Sequence, residues 1–262
     1  MNINNIKYMT TNYPTDLTDA QYAAILQIMG DKRKRKHTLR EIWNAILYLH
    51  KTGCHWRMLP HDYPKWQTVY YYLDKWTYDA TIEQVNDELR EVTRLSAERE
   101  SSPSVALIDS QSVKTSRVGG AQRGFDGGKK IKGRKRHILT DTQGLLLSAV
   151  SHSANTHDSQ AALGVIETLK HRFPRLTKFF ADGGYRGELI ENVKKFCGWD
   201  MEITLRSDKA IGFEVLPMRW VVERSFSWLE NFRRLAKDYE YTTQMSETMI
   251  YLAFTTIMLH RI

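Results

Sequence analysis

Cysteine is nearly missing from this chain. Cys54 and Cys197 are the only two in 262 residues, far apart and outside any CxxC pair. That excludes a disulfide framework or a thiolate zinc site and fits a reducing cytosol. Each reads as a small buried hydrophobe. Long apolar runs are missing too. None approaches the roughly 18 consecutive apolar residues of a spanning helix. The most apolar stretch, Met249 to Leu259, is interrupted by Thr255 and Thr256 and reads as a buried terminal helix. The opening segment MNINNIKYMTTNYPTD has no apolar centre of the signal-peptide kind. There is no internal repeat and no low-complexity tract. Membrane insertion, secretion and a solenoid are set aside on these grounds.

What the chain does carry is positive charge. Lys and Arg number 38 against 30 Asp and Glu, a formal net charge of +8. Such a balance favours nucleic acid or an anionic membrane as partner. Without a spanning run, nucleic acid is the expected one. A hydrophobic content of 42% beside 26% charged residues suits a soluble globular protein with a core.

Two patterns divide the chain. Residues 1–95 form the first unit, of which 16–95 read as mostly helical. Thr18 is a candidate cap before Ala20 to Met29, and Thr38 to Glu41 is a capping-box pattern opening a helix to His50. Ile42, Ala45, Ile46 and Leu49 keep helical spacing there. Aromatic-rich helices follow at Trp66 to Trp76 and at Ile82 to Leu95, and the aromatics at helical spacing read as core. Short helices with surplus charge suit a helix-turn-helix class module, with Lys32, Arg33, Lys34 and Arg35 as DNA contacts. Residues 96–104 are polar and turn-prone, a linker. Residues 105–262 alternate instead. Strands are predicted at 105–109, 135–141, 144–151, 177–182 and 201–206, with Asp141 to Gly144 as a hairpin turn. Helices are predicted at 158–172, 187–197, 217–236 and 244–260. The expected fold is α/β, a mixed five-stranded sheet covered by helices, with an all-α N-terminal domain.

Three carboxylates stand in settings that suit two-metal phosphoryl transfer. Asp109 closes the apolar run Val105 to Ile108. Asp182 follows Phe179-Phe180-Ala181 and precedes Gly183-Gly184. Glu223 lies in the helical segment 217–236, where Arg219 is its natural ion-pair partner. Hard oxygen ligands suit Mg²⁺, and a pair of ions can hold both oxygens of an in-line displacement. Between the first two strands, Arg117 to Arg136 reads as a flexible glycine-rich loop for the phosphate backbone. Its candidates are Arg123, Lys129, Lys130, Lys132, Arg134, Lys135 and Arg136, with Lys114 just before it. Asp158 reads as a helix cap, and His157 as a structural histidine within reach of the site.

These residues carry a resemblance over nearly the whole chain. Leu17 to Gln21, Gly53 to Pro60 and Trp66 to Tyr72 resemble the N-terminal module of DDE transposases of bacterial insertion sequences, in the insertion sequence five family. Ile108 to Lys114, Lys132 to His137, Ala181 to Tyr185, Arg219 to Glu223 and Arg233 to Glu240 resemble that family's catalytic domain. The resemblance implies a ribonuclease H-like fold with Asp109, Asp182 and Glu223 as triad and metal ligands. It implies two Mg²⁺ ions, replaceable by Mn²⁺. Double-stranded DNA is the implied partner, as terminal inverted repeats and as target, with Mg²⁺-dependent cleavage and strand transfer. It further implies a homodimer or larger assembly on DNA and a place at the bacterial nucleoid. Related transposases carry Tyr-x2-Arg-x3-Glu-x6-Lys around the glutamate. Here Arg219 and Glu223 match, while Leu216 and Glu230 stand at the Tyr and Lys positions. Arg224, Arg233 and Arg234 are the nearby cations available instead, and Arg219 joins the DNA-contact candidates. Two other functions suit the same motifs: a silent DNA-binding regulator descended from a transposase, and a structure-specific nuclease.

Overall fold

Two threonines start the first two helices as their spacing predicts. Thr18 accepts the backbone N–H of Gln21, and the Gln21 side chain accepts that of Thr18, so α1 (Asp19–Met29) opens with a capping box. Thr38 and Glu41 repeat the device at α2 (Leu39–Thr52). α3 (Trp66–Tyr78) and α4 (Thr81–Ser96) follow. The computed structural model describes residues 13–31, 33–205 and 218–262. Lys32 and Leu216 lie outside the described residues.

The strands are β1 (Val105–Lys114), β2 (Gly124–Asp126), β3 (Ile131–Thr140), β4 (Leu146–Ser153), β5 (Lys178–Ala181) and β6 (Asp200–Ile203). β3 runs antiparallel to β1 on one side; on its other side lie β4 and, at its first residues, β2. β1, β5 and β6 are parallel. The five longer strands are the expected mixed sheet, and β2 is a sixth, short addition. Asp141 makes the β3–β4 turn: its Oδ1 accepts the N–H groups of Gln143 and Leu145, and Gly144 takes a φ of 81°, open to glycine at little steric cost.

Alternation along the strands sends apolar side chains to two cores. Ala106, Ile108, Leu139 and Leu147 join α5 (Asp158–Glu167) and α6 (Leu189–Cys197) on one face. Leu107, Ile138, Leu146 and Ala149 point to the other, under α7 (Arg219–Leu229) and α8 (Thr243–Leu259). α8 is apolar nearly all round because it is surrounded. It packs on α2, α3, α4, α7 and β4. Ile42, Trp43, Leu73 and Val85 of the N-terminal helices therefore share one continuous apolar cluster with Ile250, Phe254 and Val221. Truncating a residue such as Phe254 at this junction is expected to cost roughly 3–5 kcal/mol. A mixed sheet of this order with helices on both faces is the ribonuclease H-like arrangement. Among the described residues no helix is long and apolar enough to cross a membrane.

The structure corrects several expectations. β1 continues through Lys114, so Asp109 lies within a strand and not at its end. β3 begins at Ile131, so much of the predicted loop is strand. Arg134, Lys135 and Arg136 are buried. Arg134 pairs with Asp238 at 3.3 Å and gives further hydrogen bonds to the carbonyls of Gln122, Glu240 and Tyr241. Arg136 donates to the Leu235 carbonyl. Lys135 pairs with Asp158 at 2.9 Å. None of the three is placed to meet a phosphate backbone. Gly133 shows how tightly β1 and β3 approach here, since a Cβ on it would lie 1.9 Å from the Val113 carbonyl oxygen. The predicted helix 217–236 ends at Leu229, because Phe232 turns to extended backbone and stacks its ring on buried His50. Cys54 and Cys197 are free and half-buried.

Candidate active site

The parallel pairing of β1 with β5 ends at Leu107 and Phe180. β1 runs on, while β5 stops at Ala181. Asp109 projects just past that point, and Asp182 is the first residue after β5. The step between the two strands thus brings both carboxylates to one groove. Its lining includes Asp109, Asp182, Thr204, Arg219 and Val222. Asp182 Oδ1 accepts the Gly184 N–H at 2.8 Å, which fixes the turn over Gly183–Tyr185. Asp109 Oδ1 accepts the Ser110 N–H at 2.7 Å.

Burial pushes the Asp109 carboxyl up to about 7, and the Asp182 charge adds to the shift. The Ser110 N–H, Arg219 and Lys129 pull the other way without cancelling it. A carboxylate held high by desolvation and a second carboxylate gains strongly from a nearby cation. Arg219 supplies part of that charge. Its Nη2 lies 3.6 Å from Asp182 and its Nε 2.9 Å from Glu223. Glu223 sits one helical turn along α7, exposed, and Arg219 bridges it to the groove. Among the described residues, no three Asp, Glu, His or Cys side chains close into a metal cage. The two aspartates are brought together, and Glu223 joins them through Arg219. Their donor chemistry fits a hard divalent cation: acid oxygens, one of them poorly solvated.

Behind this groove, on the opposite face of β1, lies a second polar cluster that local sequence patterns do not reveal. The Ser110 hydroxyl donates to Asp158 at 2.8 Å, and Lys135 pairs with the same carboxylate. His137 stands 3.6 Å from Asp158 and shares a 2.9 Å hydrogen bond with His152. Burial and the neighbouring His152 push His137 down to about 3. Burial alone raises Asp158, but Lys135 and Ser110 outweigh it and hold the carboxyl below its usual range. Buried Tyr185 faces the same cluster, with burial and then Asp109, Asp158 and Asp182 keeping its hydroxyl protonated. Asp158 was expected as a cap. His157 takes that role, accepting the Ser159 N–H, and it does not line the groove. The partners of Asp158 come from β1 and β3, 48 positions distant in the case of Ser110.

The other predicted cations divide by exposure. Arg33, Lys34, Lys114, Arg123, Lys129, Lys130 and Lys132 are exposed. Lys129 reaches the Ser110 carbonyl at 3.2 Å, beside Asp109. Arg35 is partly buried, bonded to Asp31 and stacked on Tyr72. Arg234 is ion-paired to Glu240 at 2.7 Å and so is not free to serve at the signature's Lys position. Arg224 remains available beside Glu223.

Comparison with known proteins places these features. Residues 100–259 match the family described as "Transposase DDE domain", and residues 17–86 match "Putative transposase of IS4/5 family". A stretch of 115 residues, 41% of this chain, is 33% identical to the "Putative transposase for insertion sequence element IS402" of Burkholderia cepacia. That match covers 54% of the relative, so the chain spans about half the relative's length. With the DDE match extending over more than half of its residues, the chain belongs to the DDE transposases of IS4/5-type insertion sequences.

Proposed function

We propose that this chain cuts and joins DNA at the ends of its element, using Asp109, Asp182 and Glu223 as one catalytic unit. The supporting observation is the groove at the β1–β5 step, where desolvated Asp109 faces Asp182 and Arg219 tethers Glu223. Asp109, Asp182 and Glu223 are the residues that would hold two Mg²⁺ ions, with Mn²⁺ as substitute. When bound, such ions polarise the phosphodiester and lower the pKa of a nucleophilic water. Asp109 and Asp182 fix the acid oxygens on backbone N–H donors, so little reorganisation is needed at the moment of reaction. Lys129 and Arg219 bring positive charge to the phosphate. In the first step water attacks the phosphorus and the bond to the 3′-oxygen breaks, freeing a 3′-hydroxyl. In the second that hydroxyl attacks a target phosphorus in the same in-line manner, the target's P–O3′ bond breaks, and a target 3′-hydroxyl leaves.

The helical residues 1–95 would recognise the terminal inverted repeats, since base readout needs an element seated in a groove. Exposed Lys129, Lys130, Lys132 and Arg123 would hold phosphates of either DNA. Joining two ends requires at least a dimer on DNA. The test is incubation of the full chain with repeat-bearing DNA and Mg²⁺, followed by sequencing of the junctions. Strand-transfer products that vanish in Asp109→Ala, Asp182→Ala and Glu223→Ala, with end binding retained, support the reading. Cleavage without any joining favours a structure-specific nuclease. Repeat binding without cleavage leaves a DNA-binding regulator.

A further inference from the structure

A second pattern runs along α7 beside Glu223. Trp220, Arg224 and Trp228 recur every four residues, so they line one stripe of the helix. The Arg224 guanidinium lies 4.7 Å from the Trp220 ring centre and 4.8 Å from that of Trp228. Arg261, beyond the end of α8, adds a further layer at 4.9 Å from Trp228. The result is a ladder of indole, cation, indole, cation. Such stacking is favourable by itself, yet among the described residues no carboxylate is ion-paired with either guanidinium. Arg224 gives one N–H to the Gln143 carbonyl at 2.9 Å, while among the described residues its buried Nε has no acceptor. Asp141, the acid whose charge reaches Arg261, is already bonded to Arg94. Burial and the Arg224 charge both disfavour protonated Arg261.

The ladder also walls an open cavity of about 460 Å³, whose lining includes Trp220, Arg224, Arg261, Thr142 and Gln143. That volume is in the range of small-ligand sites, about 300–1,000 Å³. Trp220 and Glu223 are both exposed, three positions apart on the solvent side of α7. Two guanidiniums with no bonded carboxylate among the described residues can take a phosphate. An exposed indole face asks for a base that is free of its own stack, as single-strand sites do. The interior of a duplex offers the phosphates but no open base face, because each pair is covered by its neighbours.

We propose that this ladder is a subsite for a single DNA strand next to the reacting phosphodiester, with a backbone phosphate against Arg224 and Arg261 and a base stacked on Trp220. The proposal rests on the DNA-processing function above. It is tested on the full chain without divalent ions, by fluorescence anisotropy of a labelled mixed-sequence single-stranded oligodeoxynucleotide. A matching abasic strand and a repeat-bearing duplex are measured in parallel. Trp220→Ala and Arg261→Gln alter exposed side chains and are expected to fold normally. Arg224→Gln and Arg224→Lys complete the set. Trp220→Ala is expected to weaken single-strand binding about tenfold, the size of one stacked base, and to leave abasic binding unchanged. Arg261→Gln is expected to weaken both, and Arg224→Lys to restore part of what Arg224→Gln loses. If the parent binds the duplex while Trp220→Ala and Arg261→Gln bind single strands like the parent, the ladder is no subsite and the DNA function stands. If Trp220→Ala weakens the abasic strand equally, base stacking is wrong and the proposal falls. A parent that binds none of the three DNAs overturns both.

Discussion

Lys129, Lys130 and Lys132 sit beside Arg134, Lys135 and Arg136 in one basic run, yet the two halves have opposite environments. The first three are exposed around the β2–β3 turn; the last three are buried within β3. Charge density alone makes them equivalent. What separates Lys130 and Lys132 from the buried three is whether a carboxylate or carbonyl stands opposite in the fold; Lys129 lies between, exposed yet bonded to the Ser110 carbonyl. Arg134 meets Asp238, Lys135 meets Asp158, and Arg136 meets the Leu235 carbonyl. Lys130 and Lys132 are open to solvent. A buried cation without such partners is too costly to keep. The acids of β1 and its neighbours show the same rule. Asp158, with Lys135 and the Ser110 hydroxyl beside it, is held low. Asp109, buried and with the Asp182 carboxylate close by, is held high.

The sharpest way to break this comparison is Arg134→Ala. It leaves Asp238 buried without its cation and removes donors from four carbonyls. A loss of roughly 3–5 kcal/mol of stability is expected, read as a large fall in denaturation midpoint. A midpoint within experimental scatter of the parent would show that Arg134 is not the buried anchor described. Lys135→Met should cost less, about 1.5–3 kcal/mol, because Asp158 keeps Ser110 and some solvent. The same variant should raise the Asp158 pKa, visible by carboxyl-resolved NMR titration, and an unmoved titration would dissociate the pair.

Asp109 provides a test by pH. Its folded pKa of about 7 lies above the ordinary carboxylate value. The folded state therefore binds the proton more tightly, and this group's contribution to stability falls as pH rises from about 4 through 7. Asp109→Asn should flatten that part of the stability–pH curve. Adding Mg²⁺ above pH 7 should raise the parent's melting temperature more than that of the variant. Equal curves for the two proteins would mean that Asp109 is solvated like a surface acid.

The smallest stability effect belongs to the exposed half. Changing Lys129, Lys130 and Lys132 together to Ala should alter stability by no more than about 0.5 kcal/mol. Its signal is instead in DNA binding: repeat and random duplexes should weaken alike, and the salt slope should become shallower by roughly 0.9 per lost contact. An unchanged slope would remove these lysines from the interface, leaving the exposed half as solvated charge.

The sequence by itself determined what local chemistry can encode. Thr18 and Thr38 announce helix starts because a cap needs only the residues three positions on. Asp141 to Gly144 announces a turn for the same reason. The alternation of Ala106, Leu107 and Ile108 between two cores follows from strand pleating, and Asp182 is marked by the glycines that follow it. A mixed sheet covered by helices, and Asp109 and Asp182 as acids at its edge, are legible on that basis; the ribonuclease H-like fold is what the motif resemblance implies. Only the tertiary structure decided the rest. The strand character of residues 131–136 carries no apolar period, since both faces of β3 are covered and its charges are satisfied from Asp238, Asp158 and Leu235. The union of the N-terminal helices with α8 in one core is equally invisible in a polar stretch at 96–104 that reads as a divider. Asp158 looked like a cap because the hydroxyl and ammonium that hold it come from other strands. Pairings over such distances depend on which faces meet, and a local window of residues contains no record of that.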